Sequence, residues 1–181
     1  IATNANDEVP RFLESGRYEK VVPSRVCISN AMNVGHPSNL ARLVDVYGGW
    51  MDETGAMRET PNMSAMRRDL FAVSVGDEET RATIANVHQR HGTILEPHGA
   101  VGWAGLERFW RECPELADTL AVSVETAHPA KFPEEVQAAI GVDPDVPPSL
   151  AGLESRPEHY ESLPVDYAAF RSFLKQRFAD R

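Results

Sequence analysis

Leu40, Leu43, Val44 and Tyr47 fall at i, i+3, i+4 and i+7, the spacing of one helix face, and Gly48-Gly49 closes the run. The same periodicity predicts a short helix through Val9-Pro10-Arg11-Phe12-Leu13, ended by Gly16 and capped from among Asn4, Asn6 and Asp7. A further helix, capped by Asp77, carries Thr80, Ile84, Val87 and His91 on one side and stops at Gly92. Over His98 to Cys113 the pattern changes along the helix. Ala100, Val101, Trp103, Ala104 and Leu106 leave no polar side, whereas Glu107, Arg108, Arg111 and Glu112 supply one later, so a buried start and an exposed end are expected. Glu134 to Ile140 runs up to Gly141 as another helix, and Tyr167, Phe170 and Leu174 make the seam of a last one.

Between these helices, short apolar runs read as strands: Ile1 to Thr3, Val26 to Ile28, Leu70 to Val75, Ile94-Leu95 and Leu120 to Val124. The last is apolar and rich in Val, as in a strand buried on both faces, and it breaks into a helix after Pro129. Residues 50–69 lack a sharp period and predict an irregular connection with one short helix from Met63 to Arg68. Their methionines, Met51, Met57, Met63 and Met66, suit gap-filling. Strands alternating with helices imply an α/β fold, a three-layer and mainly parallel sheet with helices on both faces. Residues 1–143 make up that portion. Residues 144–164 read as a Pro-rich surface connection, with five prolines between Asp143 and Pro164, and residues 165–181 as a C-terminal docking helix.

Composition removes several function classes. With 181 residues and 42% hydrophobic side chains, the chain can bury a full core. A net charge of −9 with three lysines and no basic stripe argues against a nucleic-acid or anionic-membrane surface. No apolar run reaches the length of a membrane span, and no signal peptide is expected. Cys27 and Cys113 stand apart, which points to small core residues in a reducing cytoplasm rather than to a disulfide framework or a zinc ribbon. His88 and His91 are spaced to share a metal, but no third ligand matches them, and a helix face is the simpler reading. Gly-x-Ser-x-Gly, the Walker loop and Gly-x-Gly-x-x-Gly are absent from the sequence.

One local device recurs. Gly35-His36-Pro37, Leu95-Glu96-Pro97-His98 and Thr126-Ala127-His128-Pro129 each place proline at a helix start. In a parallel sheet such starts line one rim, where unpaired N–H groups and helix dipoles favour an anionic ligand. Glu96 is expected to accept backbone N–H groups there, and Thr126, read locally, is a helix cap.

Four motifs taken together carry a resemblance. They are Ala2-Thr3-Asn4-Ala5-Asn6-Asp7 with Pro10-Arg11-Phe12-Leu13; Ile28-Ser29-Asn30-Ala31-Met32 with Pro37-Ser38-Asn39; Glu96-Pro97-His98-Gly99-Ala100-Val101-Gly102; and Thr126-Ala127-His128-Pro129-Ala130-Lys131-Phe132. In this order they resemble the bacterial and fungal form of the threonine synthase family, from the first residues to about Ile140. The resemblance implies the C-terminal part of a pyridoxal-phosphate enzyme of the tryptophan-synthase-β fold type, converting O-phospho-L-homoserine and water to L-threonine and phosphate. Thr126 then matches the residue whose hydroxyl meets the pyridine nitrogen. Asn30 and its neighbours resemble a wall on the substrate side of the ring. Lys131 is a candidate for attracting the substrate phosphate, and His128 for a hydrogen bond in the same rim.

The chain departs from the family in two ways. Asn33 stands where the family has an aspartate, which removes any acid role there. The Schiff-base lysine and the Gly-Asn-Phe-Gly-Asn phosphate loop are expected upstream of Ile1, since the chain begins without methionine in what reads as the end of a strand. The missing N-terminal part of the same chain is therefore an expected partner, and these residues alone are expected to be inactive. The alternatives are a non-catalytic truncated or interaction module of the same fold and a related pyridoxal-phosphate lyase acting on another amino acid.

Overall fold

A computed structural model describes residues 1–179. The chain divides into two compact units, Ile1–Asp145 and Val146–Arg181. In the first, β1 (Ala2–Thr3) runs parallel to β4 (Val73–Ser74), with Ala2 opposite Val73 and Thr3 opposite Ser74. Helix α1 (Glu8–Ser15) follows β1 and ends on Gly16, whose φ of 75° is the left-handed conformation that glycine adopts without strain. Helix α2 (Leu40–Val46), a hairpin of β2 (Trp50–Met51) and β3 (Met57–Glu59), and α3 (Met63–Asp69) come between β1 and β4. Three further helices complete the unit: α4 (Asp77–His91), α5 (Pro97–Glu112) and α6 (Pro133–Ile140). A parallel strand pair joined through helices is the α/β arrangement expected from the pattern.

Three apolar clusters hold the unit together. Val9, Phe12 and Leu13 of α1 pack with Leu40 and Val44 of α2 and with Met51 and Met66, so the methionines fill the gap between a helix and the hairpin. Ile84 and Val87 of α4 meet Leu95, Ala100 and the end of α6. Val101 and Ala104 of α5 lie on Val75, Val73 and Ala2, which seats α5 on the parallel pair. That approach is close: a Cβ at Gly105 would stand 2.7 Å from the Cβ of Ala2.

Several expected elements differ. Val26 to Ile28 form no strand, and Val26 is 92% exposed. This segment is held instead by side chains. Asn4 and Asn6 are buried and cap nothing. Asn4 Nδ2 donates to Asn33 Oδ1 (2.9 Å) and the Ser29 hydroxyl (3.2 Å), and Asn6 exchanges hydrogen bonds with the backbone of Arg25. Asn33 also accepts from Cys27 N and donates to Cys27 O, a double role that an aspartate cannot fill. The strand expected over Leu70 to Val75 shrinks to Val73–Ser74, and Ile94-Leu95 is an extended link without a ladder.

The hairpin at Trp50 has no counterpart in the apolar periodicity because its turn is built on one carboxylate. Asp52 accepts from Thr54 Oγ1 (2.6 Å), Thr54 N, Ala56 N and Arg58 Nε. The Thr54 hydroxyl leads these donors in pulling the Asp52 carboxyl down to about 2.

Leu120 to Val124 is the largest revision. The segment is extended but forms no ladder. Ala121 and Ser123 turn inward, while Leu120, Val122 and Val124 are 95%, 80% and 75% exposed. A strand needs a hydrogen-bonded neighbour about 4.8 Å away, and among the described residues none pairs with it. Its inner side lies against α5 instead, where a Cβ at Gly102 would stand 3.1 Å from the Ser123 hydroxyl.

The second unit consists of turns followed by α7 (Tyr167–Phe178). Asp166 caps α7 by accepting from Ala169 N at 2.7 Å. The Arg177 guanidinium pairs with Glu161 and lies 5.8 Å from the centre of the Phe173 ring.

Candidate functional site

The start of α5 holds a buried, hydrogen-bonded polar cluster. Proline at its first position forgoes an N–H that no helix could use, and Glu96 as N-cap satisfies the next two: its carboxylate accepts from His98 N (2.9 Å) and Gly99 N (2.7 Å). Glu96 is fully buried, and its Oε2 also meets His98 Nδ1 at 2.5 Å. The amide of Ala31 donates to His98 Nε2 at 3.1 Å. Nε2 is therefore the bare nitrogen, and Nδ1 carries the proton given to Glu96. One imidazole thus ties the Asn30 loop to the start of α5.

A second carboxyl completes the cluster. Glu125, immediately before Thr126, reaches over Gly99, where a Cβ would lie 2.1 Å from both of its carboxyl oxygens. Glycine at position 99 therefore lets Glu125 approach Glu96. Burial, then the hydrogen bond to Glu96 and its charge, push the Glu125 carboxyl up to about 7. Burial acts on Glu96 in the same direction, but the donors from His98, Glu125 and Gly99 outweigh it and hold Glu96 below the usual carboxylate range. The two carboxyls therefore titrate as a coupled pair in which Glu125 holds a shared proton more readily than Glu96.

This sharing has a pH consequence. Glu125 binds its proton more tightly when folded than the usual 4.5 allows, so its contribution to stability is complete below pH 4.5 and lost as pH rises through about 7. Glu96 behaves oppositely: its contribution is present above 4.5 and lost as pH falls below that value. Glu125→Gln is expected to flatten the change in melting temperature between about pH 4.5 and 7, followed by thermal melts at half-unit steps. A slope equal to that of the parent would show that the two carboxyls do not interact.

The sequence-predicted residues gather around this cluster to different degrees. Thr126 is exposed and caps no helix, because the cap of the 3₁₀ turn Pro129–Lys131 is His128, whose Nδ1 accepts from Ala130 N at 3.1 Å. The hydroxyl of Thr126 is thus open to a ligand. Asn30 is exposed at the head of the 3₁₀ turn Asn30–Met32, adjacent to the Ala31 amide that holds His98. Phe132 stacks on His98 with ring centres 5.0 Å apart, which brings the Thr126 to Phe132 segment onto the same imidazole. Lys131 is exposed at the end of its 3₁₀ turn, not in the first turn of a helix, so the turn does not oppose its charge.

The third proline-marked start lies elsewhere. His36 hydrogen-bonds Tyr18 and the carbonyl of Glu53. Glu125 is the member that sequence reading missed. Its signal, a glycine directly after a buried acid and histidine, becomes visible only when residues 96–99 and 125 are seen side by side.

The family model for the threonine synthase C-terminal region matches residues 99–174. A threonine synthase of Pseudomonas aeruginosa is 35% identical over 97% of this chain and 39% of its own length. Among solved structures, threonine synthase from Escherichia coli is 31% identical with a TM-score of 0.70, covering 97% of this chain and 36% of that one. The PLP-bound threonine synthase from Brucella melitensis is 30% identical with a TM-score of 0.72, covering 97% and 39%. The chain therefore spans well under half the length of these relatives.

Proposed function

Because the chain belongs to the threonine synthase family, we propose that it is the C-terminal part of an enzyme converting O-phospho-L-homoserine and water to L-threonine and phosphate. The observation that carries this reading is the convergence of three of the four motifs on His98, with the Thr126 hydroxyl left open at their edge. The donor set suits pyridoxal phosphate of the tryptophan-synthase-β type, because a neutral hydroxyl donates to an unprotonated ring nitrogen without forcing a charge onto it. When bound, this cofactor supplies the electron sink for the carbanions of the reaction.

The residues of this chain then have separate tasks. Thr126 donates to the ring nitrogen. Glu96 and His98 fix the Asn30 loop at a set distance from it, and Asn30 and Ala31 face the substrate side. Lys131 attracts the substrate phosphate, and His128, already committed to the Ala130 amide, shapes the turn between Thr126 and Lys131. The Schiff-base lysine and the phosphate loop belong to the N-terminal part of the same polypeptide. The reading also places the protein in the cytoplasm. Among the described residues no helix is long and apolar enough to cross a membrane.

Turnover tests the proposal. The natural full-length polypeptide, supplied with pyridoxal phosphate and O-phospho-L-homoserine, is expected to release inorganic phosphate and L-threonine in equal amounts. Absence of phosphate release would count against this substrate, and failure to take up the cofactor against the family's chemistry.

A further inference from the structure

On the other side of the Asn30–Met32 turn lies a cavity of about 480 Å³ whose chemistry differs from that of the α5 rim. Its walls are mostly aliphatic, from Ala2, Val9, Met32, Val34 and Pro37, and Glu8 lines it. Glu8 is 2% exposed, and its Oε2 is buried without a hydrogen-bond partner. A buried carboxylate oxygen without a donor is costly, so its surroundings must either supply one or leave room for one.

No neighbour supplies it. His36 Nε2 faces the Glu53 carbonyl, which can only accept, so Nε2 holds the ring proton. Nδ1 is then bare and accepts from the Tyr18 hydroxyl at 2.6 Å. Both polar ends of the imidazole are used, and so is the hydroxyl, which burial and then the Glu8 charge hold in its protonated form by raising Tyr18 to about 12. The nearby cations lie against Asp7 rather than Oε2: Arg11 Nε and Arg25 Nη1 stand 3.2 and 3.6 Å from the Asp7 carboxylate, and Arg25 Nη1 donates to the carbonyl of Ala5. Burial leads the influences on Glu8 itself and raises its pKa; a hydrogen bond from its own backbone amide opposes the rise, Asp7 adds to it, and Arg11 and His36 oppose it.

We propose that this cavity binds an organic cation, a primary ammonium or guanidinium on a short apolar stem, with Glu8 as its counter-ion and the aliphatic walls around the stem. A charged N–H donor at Oε2 gives a charge-assisted hydrogen bond in a low-dielectric setting, where such bonds are strongest. The volume lies within the range of small-molecule sites. The cation has two possible sources, a free amine or a Lys or Arg side chain from elsewhere in the same polypeptide.

The test uses the natural full-length polypeptide and its Glu8→Gln and Val34→Phe variants. Gln keeps the shape of Glu8 without its charge. Val34 is 46% exposed, so Phe there narrows the cavity with Glu8 intact. Each protein is titrated with n-propylammonium chloride, and with n-propanol and sodium propionate as controls, by calorimetry at pH 7.5, and its melting temperature is recorded.

A free-amine site gives saturable n-propylammonium binding to the parent, weakened roughly tenfold or more in both variants, and none with the controls. A side-chain occupant gives no binding, and both variants melt several degrees lower because a buried cation loses its partner or its room. Propylammonium binding that survives in Glu8→Gln overturns the proposal. So does absence of binding together with an unchanged or raised melting temperature in Glu8→Gln.

Discussion

Glu96→Ala is expected to cost about 3–5 kcal/mol of folding stability, the scale of breaking a buried charged network by removing one partner. The substitution strands three donors at once: the amides of His98 and Gly99 and the imidazole Nδ1–H, all buried. It also removes the acceptor that keeps the Glu125 proton in place. Against the 5–15 kcal/mol typical of a folded domain, this is a large fraction. Glu96→Gln keeps the volume and one acceptor oxygen but turns an NH₂ toward donors, and is expected to cost about half as much. Urea unfolding of the natural polypeptide measures both. A loss below about 1 kcal/mol for Glu96→Ala would mean that the start of α5 is held by packing and not by its carboxylate.

Thr126→Val is expected to do the reverse. Thr126 is exposed and caps nothing, so the substitution stays within about 0.5 kcal/mol in stability. In the holoenzyme it leaves a ring nitrogen without its donor, a loss of about 1–3 kcal/mol that corresponds to a fall in turnover of roughly 5- to 150-fold. Thr126→Ser keeps the hydroxyl and is expected to recover most of the rate. Phosphate release from O-phospho-L-homoserine reports the first effect and the cofactor absorbance reports occupancy. Equal rates for Thr126→Val and the parent would remove the hydroxyl from the site. The contrast matters because positions 96 and 126 border the same cluster, yet one is expected to govern folding and the other turnover.

What could be read in the sequence was set by how local the cause is. The stripe of α2, the all-apolar start of α5 and the glycine stops after α1, α4 and α6 depend on residues within a turn or two of one another, and the structure has them. Strands depend on partners that periodicity does not name. Leu120 to Val124 keeps the alternation of a strand on α5 but lacks the neighbour that would bury its other side, so a run expected to be covered twice is covered once. The hairpin at Trp50 failed for the opposite reason. Its cause is local, but it lies in the hydrogen bonds of Asp52 and not in any apolar pattern.

The site divides along the same line. Motif order brought out Thr126, Asn30, His128 and Lys131, and the glutamate at the head of α5 was legible as a cap. The join between them was not. It passes through the two nitrogens of His98, one facing a loop 67 residues earlier and the other facing Glu96, and through Glu125 lying over a glycine that had no evident purpose. Asn4 and Asn6 show the same limit: as residue types they suit caps, but here their amides hold the segment from Arg25 to Asn33.

On the proposed reading, this chain furnishes the wall of a cofactor site in which Thr126 meets the pyridine nitrogen. A crystal structure of the natural full-length polypeptide with pyridoxal phosphate bound tests it most directly. The Thr126 hydroxyl oxygen is expected within about 2.6–3.2 Å of the ring nitrogen, with His98 still bridging Ala31 and Glu96. A ring nitrogen that meets any other side chain, or a cofactor seated away from the start of α5, would contradict it.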